Sequence, residues 1–421
     1  MFRRLAQISF LLMVASLIWM KHPWIIGGLP AIPADVLFVL TMGLWAASLA
    51  TGQSRLRWHP ALWLLVAYFA AMALSATQAA DQLRSGVKLL TQLYLLSLPL
   101  LVYNLVDSVG ELRRVFRTWI AASAVLALVG TITVLLFPAL GPDSILAPML
   151  HHYGTLRPGS YPRLELTFLY PAMMVSLLAV SLMILLISRR LGWVERPLAL
   201  VVGAGLLLTS LFALSPGFGG LMFMLGIWSW AVLRGDNPRA AAAWLATGIA
   251  AGLGSVAVAA VTPILHSTAP FLIHIPGLPV LAPSVRLLAW IDALRNFASA
   301  PLFGGGIGAD AVHVPYQSPV GSIAAVTDAH NSFLNIAAQC GFAGLAALLA
   351  IIVYAVKQAK PAPPNLVRFG LALAFVSGLA VQGLVGSFED ARHLWIIFGL
   401  MLVAQRLCAV DESVVRDAVG T

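Results

Sequence analysis

Residues 328–331 read Asp-Ala-His-Asn and stand at the mouth of a largely apolar run over 331–355. A histidine two residues from a carboxylate is a pairing suited to moving one proton near neutral pH. Asp328 reads as a helix N-cap, its carboxylate accepting from the unpaired amides of the first turn, which puts His330 inside that turn. The positive end of a helix opposes protonation of a nearby imidazole while Asp328 favours it, and the sequence does not decide between them. Arginine is the other chemically informative type, because its planar, permanently charged fork matches phosphate oxygens. Candidates are Arg286 in "SVRLLAWIDALRNFAS" (284–299), Arg157 and Arg163 in the stretch 141–165, and Arg392 in "GSFEDARHLW" (386–395). His151 and His152 have no further ligand at metal spacing, so no metal site is expected. Gly304 to Gly308 lack the Lys-Ser/Thr of a phosphate-binding P-loop.

The elements that carry these residues belong to a membrane protein. The chain has 421 residues, 60% hydrophobic and only 10% charged, against about 25% charged in a soluble domain. Apolar runs long enough to cross a bilayer recur at about 5–20, 31–51, 61–76, 88–106, 118–140, 166–188, 198–214, 218–233, 241–262, 331–355, 369–387 and 394–410. The expected fold is an all-α polytopic membrane protein of about 12 helices, forming one transmembrane domain over 1–421. The first run follows Arg3 and Arg4, but no small-residue cleavage site follows it, so it reads as a retained span.

The formal charge of +9 is unevenly placed. Of 25 Lys and Arg, 17 fall at the termini or in every second loop, including Arg3, Arg57, Arg113, Arg189, Arg190, Arg234, Lys357 and Arg406; the other 8 include Arg157, Arg163, Arg286 and Arg392. By the positive-inside rule both termini are cytoplasmic, and His330 with Arg286 face the opposite side. The charge thus sets topology and excludes a nucleic-acid partner. Cys340 and Cys408 lie at different depths, so no disulfide is expected.

The stretch 263–329 is the one long outer loop, between the ninth and tenth spans. Val285, Leu288, Ile291, Leu294 and Phe297 recur in it at helical spacing, which predicts an amphipathic helix at the outer membrane interface. Arg295 is expected to pair with Asp292. Below His330, Ala337, Gly341 and Gly344 fall within roughly 40° of His330 around a helix, a seam that would let a second helix approach closely. The 386–395 segment reads first as a capping, salt-bridged turn and second as a wall for an acceptor.

The stretch from His330 resembles the signature of the bacterial O-antigen ligase and polymerase family. That signature is His, then Asn, Ser or Gln, nine residues, Gly, two residues, and Gly, Thr or Tyr; here it is met by His330, Asn331, Gly341 and Gly344. Arg286, Trp290 and "SAPLFGGGIGAD" (299–310) resemble the family's preceding loop. The resemblance implies a polyprenyl-pyrophosphate-linked glycan donor, an acceptor that is lipid A–core or another glycan, and no cofactor or metal. It implies catalytic roles for His330 and Arg286 and a substrate-binding region including Asp328, Asn331, Arg157, Arg163 and Arg392. The setting would be the bacterial inner membrane, with the active site periplasmic and membrane lipid around it. Where family ligases carry a Ser-Arg-Gly element, this chain has Ser215-Pro216-Gly217, so that arginine is replaced by proline. The main reading is a ligase, the alternative is a polymerase of the same superfamily, and a small-solute transporter is the reading from another class.

Cysteines introduced at Ser160 and Ser318, in a background lacking Cys340 and Cys408, should react with a membrane-impermeant thiol reagent from outside. Cysteines beside Arg190 or Lys360 should not, and the reverse pattern would overturn the orientation.

Overall fold

The computed structural model describes the chain apart from residues 22–23, 27–28, 153–158, 264–271, 275–279, 319–320, 360–365 and 420–421. It is mostly helical, 72%, with α1 Phe2–Ser16, α2 Pro33–Ala50, α3 Leu62–Ala76, α4 Gln82–Leu105, α5 Val109–Leu140, α6 Pro171–Arg190, α7 Arg196–Phe212, α8 Gly217–Leu233, α9 Pro238–Ala260, α10 Val285–Ser299, α11 Ser332–Gln358, α12 Leu366–Val376 and α13 Arg392–Val419. Each apolar run read from the sequence falls on a helix. Among the described residues, seven helical segments, α2, α4, α5, α6, α9, α11 and α12 with its continuation to Leu384, are long and apolar enough to cross a membrane; α3, α7 and α8 are apolar but shorter. Among the described residues, three short antiparallel strand pairs join Trp24–Ile26 to Leu29–Ala31, Val261–Pro263 to Leu281–Pro283, and Val314–Ser318 to Gly321–Val326.

Local chemistry sets several helix starts. Asp81, Ser108, Asn237 and Ser284 cap α4, α5, α9 and α10, each side chain accepting from the amide three residues on. The amphipathic segment expected at 284–299 is α10. Its buried residues are Ala289 and Ala293, with Val285 and Leu288 partly buried against the same cluster.

The middle of the bundle is α6 and α13, whose side chains from Met174 to Ile187 and Leu394 to Ala404 are almost all buried. Polar groups inside pair with one another: Trp119 Nε1 donates to Ser181 Oγ at 3.0 Å, and Ser123 and Ser181 lie 2.7 Å apart. Such pairing is needed where no water can satisfy them. Helices α8 and α9 meet through glycine, since a Cβ on Gly226 would lie 2.6 Å from the Trp244 carbonyl oxygen.

The decisive local feature is a break in α11. Gly341 has φ 63° and ψ −160°, a conformation open essentially only to glycine. An unbroken helix would pair the amides of Phe342 and Ala343 with the carbonyls of Ala338 and Gln339. Instead Phe342 N donates to Pro301 O at 2.7 Å and Ala343 N to Leu302 O at 3.2 Å, while Gly305 N and Gly306 N donate to Ala338 O and Gln339 O at 2.9 and 3.0 Å. Segment 301–306 is therefore wedged into the helix and replaces both missing bonds. Cβ atoms on Gly304 and Gly341 would lie 2.3 and 2.4 Å from facing backbone atoms of Gln339 and Leu302. This corrects the sequence reading of Ala337, Gly341 and Gly344 as a continuous seam for a second helix. At Gly341 the neighbour is a loop, and the helix that would carry the stripe is interrupted there.

Helix α12 is also irregular, passing through a π-turn at Ser377–Val381 and a 3-10 turn at Gln382–Leu384. Ser377 Oγ donates to Gly220 O at 2.6 Å, and Gly383 sits against Ser332. The chain after α12 is thereby delivered to the start of α11.

Replacing Gly341 by alanine should destabilise the protein by about 2 kcal/mol or more, from the left-handed φ and the collision with Leu302. Thermal unfolding in detergent reads it; a wild-type midpoint would mean that the wedge yields without cost.

Candidate functional site

The site is built at the entry of α11. Asn331 is its N-cap: Oδ1 accepts from Phe333 N at 3.0 Å and Leu334 N at 3.1 Å, and Nδ2 donates to Leu384 O at 3.1 Å. This corrects the expectation that Asp328 caps the helix. His330 stands outside the first turn, in the left-handed region with φ 48°, a conformation non-glycine residues rarely hold without support. The support comes from Asp328, whose Oδ1 accepts from the His330 amide at 2.6 Å and from Ser387 Oγ at 2.6 Å.

The same carboxylate faces the imidazole, with His330 Nδ1 3.3 Å from Asp328 Oδ1. A neutral imidazole that donates Nδ1–H there keeps the Nε2 lone pair for a substrate, and the side chain is 40% exposed. Burial works to raise the Asp328 carboxyl, but hydrogen bonds and charge from His330, with Ser387, hold it down at about 2. Asp328 is thus an anion that orients one ring nitrogen and would stabilise the imidazolium formed when the other takes a proton.

Behind the pair lies a second carboxyl group. Asn335, one turn into α11, donates from Nδ2 to Asp328 Oδ2 at 3.1 Å and to Glu389 Oε1 at 2.7 Å, while its Oδ1 accepts from Ala329 N at 3.2 Å. Glu389 is buried in the turn before α13 and is anchored through its carbonyl, which accepts from Trp395 Nε1 at 2.9 Å. Burial, then the neighbouring Asp390 and Asp328, push its carboxyl up to about 7. Asp390 pairs with Lys88 of α4 and accepts from Gln92 Nε2 at 2.5 Å. The turn is fastened to α11 again where Ser332 Oγ accepts from Phe388 N at 2.8 Å.

The arginines are distributed around this centre. Arg286 is on α10, which packs beside His330: Ala289 and Ala293 share one apolar cluster with Ala329, Leu334 and Ala338. Asp292 accepts from His313 N at 2.7 Å and Asn296 donates to Ala311 O at 2.9 Å, so α10 is tied to the loop that leads to His330. That is the observed partner of Asp292, where the sequence reading placed Arg295. Arg392 is committed to Asp35, at 2.7 Å, and to the Tyr94 hydroxyl, at 3.0 Å. Arg163 lies in the loop between α5 and α6, where its carbonyl accepts from His151 N at 2.7 Å. There Glu165 pairs with His151 at 2.5 Å and with Lys21 at 3.0 Å. Arg157 lies outside the described residues. Pro216 follows a tight turn in which Leu214 has φ 47° and Ser215 Oγ accepts from Gly217 N.

Sequence reasoning placed Asp328, His330 and Arg286 on one side but missed Asn335 and treated Glu389 as part of a capping, salt-bridged turn or an acceptor wall. The available signal was that an amide and a carboxylate flank apolar spans, where ionisable and polar groups are costly unless used.

The two carboxyl groups give opposite pH responses. Glu389, raised from 4.5 to about 7, contributes stability fully present below about 4.5 and lost progressively as pH rises through about 7; Asp328, lowered from 3.8 to about 2, contributes stability lost only as pH falls through about 2. The thermal midpoint in detergent should therefore fall between about pH 5 and about pH 8, and less steeply in Glu389→Gln. Equal slopes would show that Glu389 does not take up a proton on folding.

Comparison with known protein families, characterised proteins and solved structures finds no match to this chain.

Proposed function

We propose that this chain is a membrane glycosyltransferase that moves a glycan from a polyprenyl-pyrophosphate carrier to an acceptor hydroxyl. The observation that carries the reading is the Asp328–His330 pair, held outside the helix with an exposed imidazole and flanked by the helix bearing Arg286. The preferred activity is ligation of an O-antigen-type chain to lipid A–core. The setting is the bacterial cytoplasmic membrane, with about 12 spans, both termini cytoplasmic, and the 263–329 stretch and His330 on the periplasmic face. The alternation of the basic residues supports this topology.

In the proposed step the acceptor hydroxyl gives its proton to His330 Nε2 as its oxygen bonds to the anomeric carbon of the donor. The bond from that carbon to the pyrophosphate oxygen breaks, and the electron pair leaves with the carrier pyrophosphate. Arg286 would neutralise the charge growing on those oxygens through its bidentate fork. Asp328 holds the ring and offsets the positive charge of the imidazolium. The donor already carries a good leaving group, so the scheme requires neither metal nor nucleotide. Direct attack inverts the anomeric configuration, and retention of donor linkage in the product by NMR would refute it.

A polymerase, whose acceptor is another carrier-linked repeat, is favoured by one observation: Pro216 occupies the place of the ligase arginine. Mass spectrometry of surface glycans from a deletion strain separates the two readings. Loss of a ligase leaves long carrier-linked chains, loss of a polymerase leaves single repeats, and unchanged glycans would contradict both.

With purified protein and a synthetic donor, His330→Ala should lower turnover about 10²- to 10⁴-fold with insertion intact. Arg286→Lys should be nearly as harmful as Arg286→Ala, because lysine keeps the charge but loses the fork. Near-wild-type turnover in Arg286→Lys would make Arg286 an anchor for lipid phosphate and move the pyrophosphate contact to Arg163 or Arg157.

A further inference from the structure

We infer that Asn335 is a positioning residue for His330, acting through Asp328, and that it does so by dividing one amide among three partners from two segments, 328–329 and the turn that holds Glu389. The inference rests on the reading of His330 as the base, and it concerns a side chain that touches neither donor nor acceptor.

The amide of Asn335 is fully used. Its two hydrogens go to Asp328 Oδ2 and Glu389 Oε1, and its oxygen accepts from Ala329 N, the residue between Asp328 and His330. One side chain therefore fixes the carboxylate that orients the imidazole and the backbone from which the imidazole hangs. Asp328 Oδ1 is already shared by the His330 amide, the Ser387 hydroxyl and the ring, so Asn335 is what holds Oδ2. Without it Asp328 can rotate away from Nδ1, and the φ of 48° at His330 loses its brace at Ala329.

The partnership with Glu389 explains why the residue is an amide. An aspartate at 335 would set a third carboxyl between Asp328 and Glu389, and a leucine would bury the Oδ2 and Oε1 atoms without donors. The charged or titratable groups facing Glu389 are Asp328 before α11, Cys340 on α11, Asp390 in its own turn, Lys88 from α4 and Tyr68 from α3. Glu389 Oε2 is buried without a hydrogen-bond partner among the described residues, so Asn335 is the side chain that holds this carboxyl in place. Asn335 is buried at 5% exposure, yet it lies one turn from an exposed imidazole. That is the location of a group that sets orientation without meeting substrate.

The test uses full-length protein in detergent and two measurements that do not depend on one another. One is the pH dependence of His330 modification by diethyl pyrocarbonate, read by peptide mass spectrometry; the other is kcat and KM for transfer. In Asn335→Ala the modification profile should depart from that of the wild type, because the carboxylate no longer faces the ring, and kcat should fall about ten- to a hundredfold with KM little changed. Asn335→Ser, which keeps one donor in a smaller side chain, should fall between and covers the case in which the alanine variant does not fold. An unmoved modification profile in a folded variant overturns the inference, whatever the transfer rate does. A moved profile with undiminished transfer upholds the positioning of His330 and overturns instead its role as the base.

Discussion

The structure depends on an exchange of backbone hydrogen bonds at Gly341. Two amides and two carbonyls that an intact α11 would pair with each other are paired instead with segment 301–306. At the depth of a spanning helix such groups must be satisfied by protein, so the helix can break only where this loop fills the gap. The loop is then as fixed as the helix. It follows α10 directly, and α10 carries Arg286, so the exchange sets the distance between the arginine helix and the histidine. Glycines at 304 and 341 are required because the two backbones touch, with no room for a Cβ on either side.

A second fastening completes the site from the C-terminal side. The irregular end of α12 delivers the 386–391 turn to the first residues of α11, where Ser332, Asn335 and Asp328 each bond to it. Asp390 and Lys88 extend the contact to α4. His330 therefore hangs from a junction of three segments far apart in sequence, and its strained φ is held by hydrogen bonds from its own amide to Asp328 and from the Ala329 amide to Asn335. Helix α11 and the chain from Leu384 to Ser387 both act on four residues, Asp328 to Asn331. This arrangement can keep a surface histidine in a single orientation while the ring stays open to a substrate.

Much of this was legible in the sequence because it follows from local pattern. Apolar runs gave the helices, and the position of α10 was fixed within one residue by its periodicity. The proximity of Asp328 to His330 was visible from spacing alone. The failures share a cause. Asp328 and Asn331 are both good caps, and the choice between them was made by Ser387, 59 residues away. Gly341 read as a small residue for helix packing because its actual partner, Leu302, belongs to a loop 39 residues earlier and is matched through backbone atoms, which leave little trace in side-chain pattern. Asn335 looked like an ordinary polar residue until the turn holding Glu389 was placed beside it.

The account's central claim is that Asp328 fixes the proton on Nδ1 of His330 and leaves Nε2 as the base. Asp328→Asn tests it most directly, since the amide is nearly the same shape but has no charge and can present its NH₂ to the ring. Turnover of the purified protein with a polyprenyl-pyrophosphate glycan should fall about 10²- to 10⁴-fold with KM nearly unchanged. Turnover within a few-fold of wild type would contradict the claim and leave Asp328 as no more than a structural link between α11 and the 386–391 turn.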